Sequence, residues 1–150
     1  MSSTDSMTDQ LASATPGTLP LNLKIAGTSG LRPDLDGLRL TPPRGGPIYL
    51  MDRGVRRHIP NPATYNNLFR DWNGVISDVD VDIIPEGPPL LDGAILFRPD
   101  GRPEVYMIDD AGKRHVVSPE AMDKYYFNWN TIVQVPEVIT RFVPDSDPLS

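Results

Sequence analysis

The sequence predicts an α+β, β-rich fold in which a unit of hairpin, short helix and strand is repeated in tandem, with antiparallel sheet and pseudo-twofold symmetry. Two segments of the chain match each other at a constant separation. Short runs of β-branched, aliphatic and aromatic residues alternate with turn residues, and 17 prolines and 12 glycines among 150 residues favour many turns over long helices. Since a unit of this size buries little apolar surface alone, we expect the two units to form one domain.

The duplication is carried by the segments IYLMDRGVRRHIPNPATYNNLFRDWNGVI and VYMIDDAGKRHVVSPEAMDKYYFNWNTIV, which begin at residues 48 and 105. One separation of 57 residues relates Tyr49 to Tyr106, Asp52 to Asp109, Arg57 to Arg114, His58 to His115, Pro62 to Pro119, and Trp72 to Trp129. Weaker matches extend repeat 1 to about residues 36–90 and repeat 2 to about residues 91–150. Small changes of separation at these ends are what loop insertions produce, because loop length costs little free energy.

The N-terminal residues differ in composition from the repeats. Residues 1–25 are rich in Ser, Thr, Asp and Pro and are predicted to be a flexible tail, because they bury too little apolar surface to offset their ordering entropy. Residues 26–150 are predicted to be a single pseudo-symmetric domain. Leucine and isoleucine alternate with other residues along residues 19–25, so a short edge strand, or an arm that pairs with a partner subunit, is the alternative.

Each repeat begins with a predicted hairpin. The runs at residues 47–52 and 55–60 in repeat 1, and at residues 104–109 and 113–117 in repeat 2, are separated by glycine-containing turns. Alternation of strand-forming runs with such turns is typical of antiparallel hairpins.

A short helix is predicted after each hairpin. Asn-Pro precedes the first and Ser-Pro precedes the second, which is the pattern of an N-cap followed by proline in the first turn. Apolar side chains then recur at i, i+3, i+4 and i+7, which places Trp72 and Trp129 on the core face of two helices with a shared or duplicated core. The alternative for both tryptophans is a flat platform for a pyranose ring. Strand character returns at residues 75–76 and 132–133, and residues 92–98 are predicted to be a further strand.

The pattern Tyr-Leu-Met-Asp-x-Gly-x-x-Arg-His-Ile-Pro-x-Pro at residues 49–62, followed by Phe and Trp, resembles repeat modules of bacterial surface and secreted proteins. Those modules carry Tyr-Leu-Ile, a glycine turn, Lys/Arg-Arg-His/Trp-Ile-Pro-Ser-Pro-Glu, and then Phe and Trp. The resemblance covers about residues 36–150 in two copies, and it implies a non-catalytic binding or structural unit of the cell envelope. The second copy departs from the pattern, since Val116-Val117 stands where the first copy has Ile59-Pro60.

The composition of the chain argues against several classes of protein function. The absence of cysteine excludes disulfides, a thiol nucleophile and thiolate metal sites. A net charge of −6 provides no basic footprint for nucleic acid. No stretch approaches the roughly 20 apolar residues of a bilayer-spanning helix, so no membrane insertion is expected. The N-terminal sequence lacks the basic and apolar regions of a secretory signal, so the compartment is left open between the cytoplasm and export by another route.

Eight residues at matched positions of the two repeats are the candidate ligand-binding residues. They are Tyr49, Asp52, Arg57, His58, Tyr106, Asp109, Arg114 and His115. The arginines and their basic neighbours offer donors for a carboxylate, a sulfate or sugar hydroxyls. The alternative is a solvated strand surface on which each arginine pairs with the aspartate across its hairpin.

No catalytic residue is predicted, because the chain has no nucleophile elbow, phosphate-binding loop, dinucleotide motif or zinc-protease motif. A hydrolase using His58 or His115 is the remaining enzymatic alternative. No cofactor is expected. Asp78, Asp80 and Asp82 are weak calcium candidates, since hard cations need several oxygen ligands, but their alternation with aliphatic residues favours a half-buried strand.

These observations together predict a non-catalytic, lectin-like binding module with two pseudo-equivalent sites. The expected partner is a glycan or another cell-envelope polymer. The alternative is a structural or protein-interaction subunit that assembles through exposed strand edges, for example as a homo-oligomer.

Overall fold

The structure is a computed structural model that describes residues 3–19 and 30–150. Within these residues the chain forms four α-helices, seven strands and three short 3-10 helices, and the strands make two sheets. This is the α+β, β-rich class predicted from the sequence.

The contacts divide the chain into two compact units rather than the single domain expected over residues 26–150. Unit 1 comprises Met1–Pro62 and Asp71–Pro89, and unit 2 comprises Ala63–Arg70 and Leu90–Ser150. The units do not coincide with the sequence repeats, because the helical segment of repeat 1 belongs with repeat 2.

Unit 1 is built on a three-stranded antiparallel sheet. Its elements are α1 (Ser3–Ala12), β1 (Arg39–Leu40), β2 (Tyr49–Asp52) and β3 (Val55–His58). The sheet order is β1-β2-β3, and the β2–β3 hairpin has Tyr49 opposite His58 and Asp52 opposite Val55. The tight turn of this hairpin is made by Arg53 and Gly54, which both have positive φ.

Of the flexible tail expected over residues 1–25, the structure describes residues 3–19, and these contain a helix and backbone pairing. Residues Ser3–Ala12 form α1, Met7 is buried, and Gly17 bridges Ile76. The amide of Gly74 donates to the carbonyl of Thr15, so two backbone contacts hold the segment after the helix. The alternative strand over residues 19–25 lies outside the described residues from residue 20 onward.

The strand expected at residues 78–83 is instead an irregular segment that ends in a 3-10 helix, Val81–Ile83. The Asp80 carboxylate accepts a hydrogen bond from the amide of Asp82 and caps this helix. An aspartate side chain competes well for backbone donors two residues on, which favours a cap over a strand. Val79 and Val81 pack into the unit 1 core, as the alternation of aliphatic residues predicted, but the third core position is taken by Ile84, whereas Ile83 is only partly buried.

Unit 2 is built on a four-stranded mixed sheet. Its remaining elements are α2 (Pro62–Leu68, of which residues 63–68 belong to this unit), β4 (Leu96–Pro99), β5 (Val105–Asp109), β6 (Gly112–Val116), α3 (Pro119–Lys124), β7 (Val133–Val135) and α4 (Glu137–Thr140). The sheet order is β6-β5-β4-β7. Strands β6, β5 and β4 pair antiparallel, whereas β4 and β7 run parallel. The sequence predicted an antiparallel sheet, so the β4–β7 pair differs from that prediction.

The two predicted helices contribute to one core in unit 2. The ring of Phe69, just beyond α2, lies 4.8 Å from that of Tyr65 and 5.8 Å from that of Phe127, beyond α3. Both helices begin at the predicted proline but end before the predicted tryptophan. At the end of α3, Tyr126 takes a φ of 58°, which stops the helix, so Trp129 does not lie on a helical core face.

None of the helices within residues 3–19 and 30–150 combines the length and apolar character that a bilayer crossing requires.

Candidate functional site

Four of the eight candidate ligand-binding residues form two buried ion pairs. Arg57 Nη1 donates to Asp52 Oδ2 over 3.0 Å in unit 1, and Arg114 Nη1 donates to Asp109 Oδ2 over 3.3 Å in unit 2. All four side chains are shielded from solvent. The pairing across each hairpin is the alternative that the sequence left open, but the pairs are buried rather than solvated.

Each buried arginine also binds the backbone that ends its unit. Arg57 Nε donates to the carbonyl of Pro88 over 2.8 Å, and Arg114 Nε donates to the carbonyl of Asp147 over 2.7 Å. One guanidinium therefore joins a carboxylate on the hairpin to a main-chain segment more than 30 residues away. These contacts assign Asp52 and Asp109, with their arginines, to the framework of the units rather than to a ligand surface.

The other four candidates form two cross-strand ring pairs. Tyr49 and His58 have ring centroids 5.8 Å apart, and Tyr106 and His115 have centroids 5.4 Å apart. Tyr49 is buried, whereas Tyr106 and both histidines are half-buried.

A basic side chain covers each tyrosine of these pairs. The Arg56 guanidinium lies 4.9 Å from the ring centre of Tyr49, and the Lys113 ammonium lies 5.7 Å from that of Tyr106. Neighbouring basic residues of one strand therefore lie on opposite faces of the hairpin. Arg57 and Arg114 are buried in the ion pairs. Arg56 and Lys113 lie over the tyrosine rings of the other face. The donor cluster proposed for these basic residues is not assembled.

The two units share further contacts at matched positions. The amide of Arg56 donates to the carbonyl of Pro85, and that of Lys113 donates to Pro144. Along the outer edge of each hairpin the backbone makes an isolated parallel β-bridge. It joins Arg56 to Glu86 in unit 1 and Lys113 to Asp145 in unit 2. Duplication as the origin of this likeness stays an inference from the sequence.

Unit 2 contains a cavity of about 280 Å³ beside the open end of the β5–β6 hairpin. Its lining includes Pro103, Glu104, His115, Val117, Met122 and Trp129. Trp129 is 45% exposed, and Val117 is 43% exposed. His115 is the one member of the eight sequence candidates that lines this cavity.

Trp129 is positioned by a capped turn. Asn128 Oδ1 accepts from the amide of Asn130 over 2.9 Å, and Thr131 Oγ1 donates to the carbonyl of Asn128 over 3.1 Å. The amide of Asn128 donates to the carbonyl of Leu68 in the same unit. These bonds fix the backbone on both sides of the indole, so its partly exposed side chain is presented from a defined position.

Glu104 is the one acidic residue among the described residues that line the unit 2 cavity. Its Oε2 is buried and has no hydrogen-bond partner among the described residues. Burial raises the pKa of the Tyr106 phenol, the negative charges of Glu104 and Asp145 raise it further, and the positive charge of Arg102 lowers it.

Unit 1 contains a cavity of about 250 Å³ at α1 and the loop that follows β1. Its lining includes Leu11, Thr15, Pro42, Gly46, Trp72 and Val75. None of the eight sequence candidates lies in that lining.

The two cavities are not built from equivalent residues. At the 57-residue separation, only Gly46 and Trp72 of the unit 1 lining match members of the unit 2 lining, Pro103 and Trp129. Glu104 corresponds to Pro47, so unit 1 has no matching carboxylate. A search for duplicated polar residues could not find Glu104, because it occurs in one repeat only.

Calcium ligands are not brought together at the predicted aspartates. Within the described residues, no group of three or more His, Asp or Glu side chains is arranged to hold a metal ion. Asp80 serves as a backbone cap instead.

Comparison of the chain with protein-family models, with curated proteins and with solved structures gives no match.

Proposed function

We propose that this protein is a non-catalytic binding module for carbohydrate or another cell-envelope polymer. The observation that carries the proposal is the unit 2 cavity, in which the partly exposed indole of Trp129 lies in one lining with the imidazole of His115 and the carboxylate of Glu104.

The chemistry of this lining supports a sugar ligand. The face of an indole offers flat apolar area to the C–H side of a pyranose, and the side chains of Pro103 and Val117 extend that apolar area. Imidazole and carboxylate groups can exchange hydrogen bonds with ring hydroxyls. The cavity volume is just below the range of about 300–1,000 Å³ of sites for drug-sized ligands, which suits one sugar unit of a longer polymer.

The second cavity supports a polymeric ligand. Trp72 lines the unit 1 cavity, so each unit contributes one tryptophan to a concave surface. Two weak sites in one chain gain avidity on a repeating ligand through effective concentration. The resemblance of residues 49–62 to modules of bacterial surface proteins supports an envelope polymer.

Binding to soluble oligosaccharides and to purified cell-wall polymer, measured by titration calorimetry and by co-sedimentation, tests the proposal. We expect binding that Trp129→Ala weakens at least about tenfold, since loss of a stacked aromatic removes one to a few kcal/mol. Phe142→Ala is the matched control, because Phe142 is an aromatic residue that is 84% exposed and lines neither cavity. Absence of binding to every polymer, or equal loss in both variants, would refute the proposal.

Self-association is a second candidate function, and one feature of unit 2 favours it. Strand β7 is at the edge of its sheet and carries the exposed Val133, and the neighbouring Val138, Ile139 and Phe142 are also exposed. An apolar strand edge of this kind can pair with the same edge of a second copy. Sedimentation over a range of concentrations tests this: a dimer that Phe142→Glu dissociates would support it, and a monomer at millimolar concentration would refute it.

A further inference from the structure

The unit 2 cavity has an acidic residue, Glu104, in its lining, whereas the described residues that line the unit 1 cavity include no charged side chain. Glu104 Oε2 is shielded from solvent without a hydrogen-bond partner among the described residues, so this one oxygen of a half-buried side chain has lost hydration that no described protein group replaces. Such a group raises the free energy of the empty site. A ligand that brings positive charge next to Glu104 recovers more than a ligand that brings only hydroxyls.

Two basic residues near this face, Lys113 and Arg102, are already engaged with other partners. Lys113 Nζ lies 3.1 Å from Asp145 Oδ1 and donates to the carbonyl of Val143 over 2.6 Å. Arg102 lies 3.5 Å from the carboxylate of Glu137. Neither Lys113 nor Arg102 is among the residues that line the cavity, and His115 is the one basic residue in the lining that the described part of the chain provides.

Trp129 adds a second preference for a cation. The face of an indole attracts a positive charge through the ring quadrupole, and tryptophan is the most effective aromatic residue in this role. An ammonium group beside a sugar ring can therefore satisfy the carboxylate while the ring stacks on the indole. A neutral sugar makes the stacking contact and hydrogen bonds through its hydroxyls, but it brings no positive charge to the carboxylate or to the face of the indole.

Resting on the proposed function, we infer that the unit 2 cavity binds an amino sugar whose amine is free and protonated, with Glu104 as the residue that selects it over neutral and N-acetylated sugars. The ligand class is a hexosamine unit within a polymer. Unit 1, which has Pro47 in place of Glu104, contributes binding without this selectivity.

The test compares three β-1,4-linked tetramers, of glucosamine, N-acetylglucosamine and glucose, by titration calorimetry at near-neutral pH. We expect the glucosamine tetramer to bind at least about tenfold more tightly than the other two, as a charge-assisted hydrogen bond does relative to a neutral one. Glu104→Gln, which keeps the shape and removes the charge, should abolish this preference, so that the affinity of the variant for the glucosamine tetramer falls to its affinity for the glucose tetramer.

Glu120→Gln is the matched control, because it removes the same charge from an exposed residue of the same unit that does not line the cavity. If Glu120→Gln lowers the preference as much as Glu104→Gln does, the selectivity reflects general attraction to an acidic protein and the inference is wrong. If all three tetramers bind equally and weaken together in Trp129→Ala, the inference is wrong but the proposed function stands. If none of the tetramers and no other glycan binds, both fail. The melting temperature of each variant, compared with wild type, verifies that it is folded.

Discussion

Arg57 Nη1 lies 3.0 Å from Asp52 Oδ2, and both side chains are completely removed from water. The same arrangement joins Arg114 to Asp109 in the other unit. Desolvation of two charges is costly, so such a pair adds little net stability, but loss of either partner leaves an uncompensated buried charge.

Asp109→Asn should therefore destabilise the protein by about 3–5 kcal/mol, because the Arg114 guanidinium stays buried without its carboxylate. Urea unfolding at neutral pH measures the change. Arg141→Gln is the control, since it removes an exposed i,i+4 pair with Glu137 and should cost no more than about 0.5 kcal/mol. Equal effects of the two variants would show that the Asp109 pair is solvated.

Gly112→Ala should be strongly destabilising. A Cβ at this position would overlap the carbonyl oxygen of Pro144, and the φ of 135° is unfavourable for any side chain. Gly101→Ala measures the cost of a positive φ without a steric clash, since Gly101 has a φ of 76° and open space around its Cβ position. This control should lower the free energy of unfolding by about 1–2 kcal/mol. The steric clash should add about 1–3 kcal/mol at Gly112. Equal unfolding free energies for the two variants would contradict the contact with Pro144.

Stability should fall in alkaline solution partly because of Tyr106. Burial, Glu104 and Asp145 raise the pKa of its phenol, so the folded protein holds this proton more tightly than the unfolded chain, whose pKa is about 10. The contribution of Tyr106 is complete below pH 10 and is lost as the pH rises through the folded pKa. Tyr106→Phe cannot ionise, so the free energy of unfolding of wild type minus that of the variant should decrease between pH 9 and pH 11. A difference that is constant with pH would contradict the shift.

Arg70 should be important for unit 2, although it lies in repeat 1. Its Nε donates to the carbonyl of Phe127 over 2.8 Å, its Nη2 lies 2.6 Å from Asp123 Oδ1, and its guanidinium covers the ring of Tyr126. Arg70→Ala should cost about 1–3 kcal/mol and speed amide exchange near residue 127, because the Phe127 carbonyl loses its partner.

Asp123→Asn is the comparison for Arg70→Ala, since it removes only the exposed ion pair and should cost less than about 1 kcal/mol. Hydrogen exchange followed by mass spectrometry measures both variants. Exchange near residue 127 that is unchanged by Arg70→Ala would contradict this role.

Local structure was predicted well where a short pattern determines it. The hairpins at β2–β3 and β5–β6 and the first turns of α2 and α3 lie where strand-forming runs, turn glycines and capping pairs predicted them. The sequence also predicted that Asp52 and Asp109 could pair across their hairpins. Their burial depends on the main-chain segments at the end of each repeat, which bind the paired arginines and which the periodicity of the strands does not predict.

The helix ends and the cavity were harder to predict. Apolar spacing continued through Trp72 and Trp129, but a left-handed residue at Tyr126 and an Asn128 cap replace the last helical turn before Trp129. Residues 1–25 were expected to be a tail because their composition is polar. Two apolar residues spaced four apart nevertheless make contacts: Met7 is buried, and Leu11 lines the unit 1 cavity.

Residues 63–70 are translated before nearly all of the residues with which they form unit 2. As the nascent chain leaves the ribosome, Tyr65 and Phe69 emerge well before Phe127, so the aromatic core of unit 2 cannot form yet. All residues of unit 1 are available to fold once residue 89 has emerged. Domains generally fold in the order of synthesis, and here that order leaves the apolar side chains of α2 and Phe69 without their core in the interval. The chain is therefore most open to aggregation or chaperone binding midway through its own synthesis.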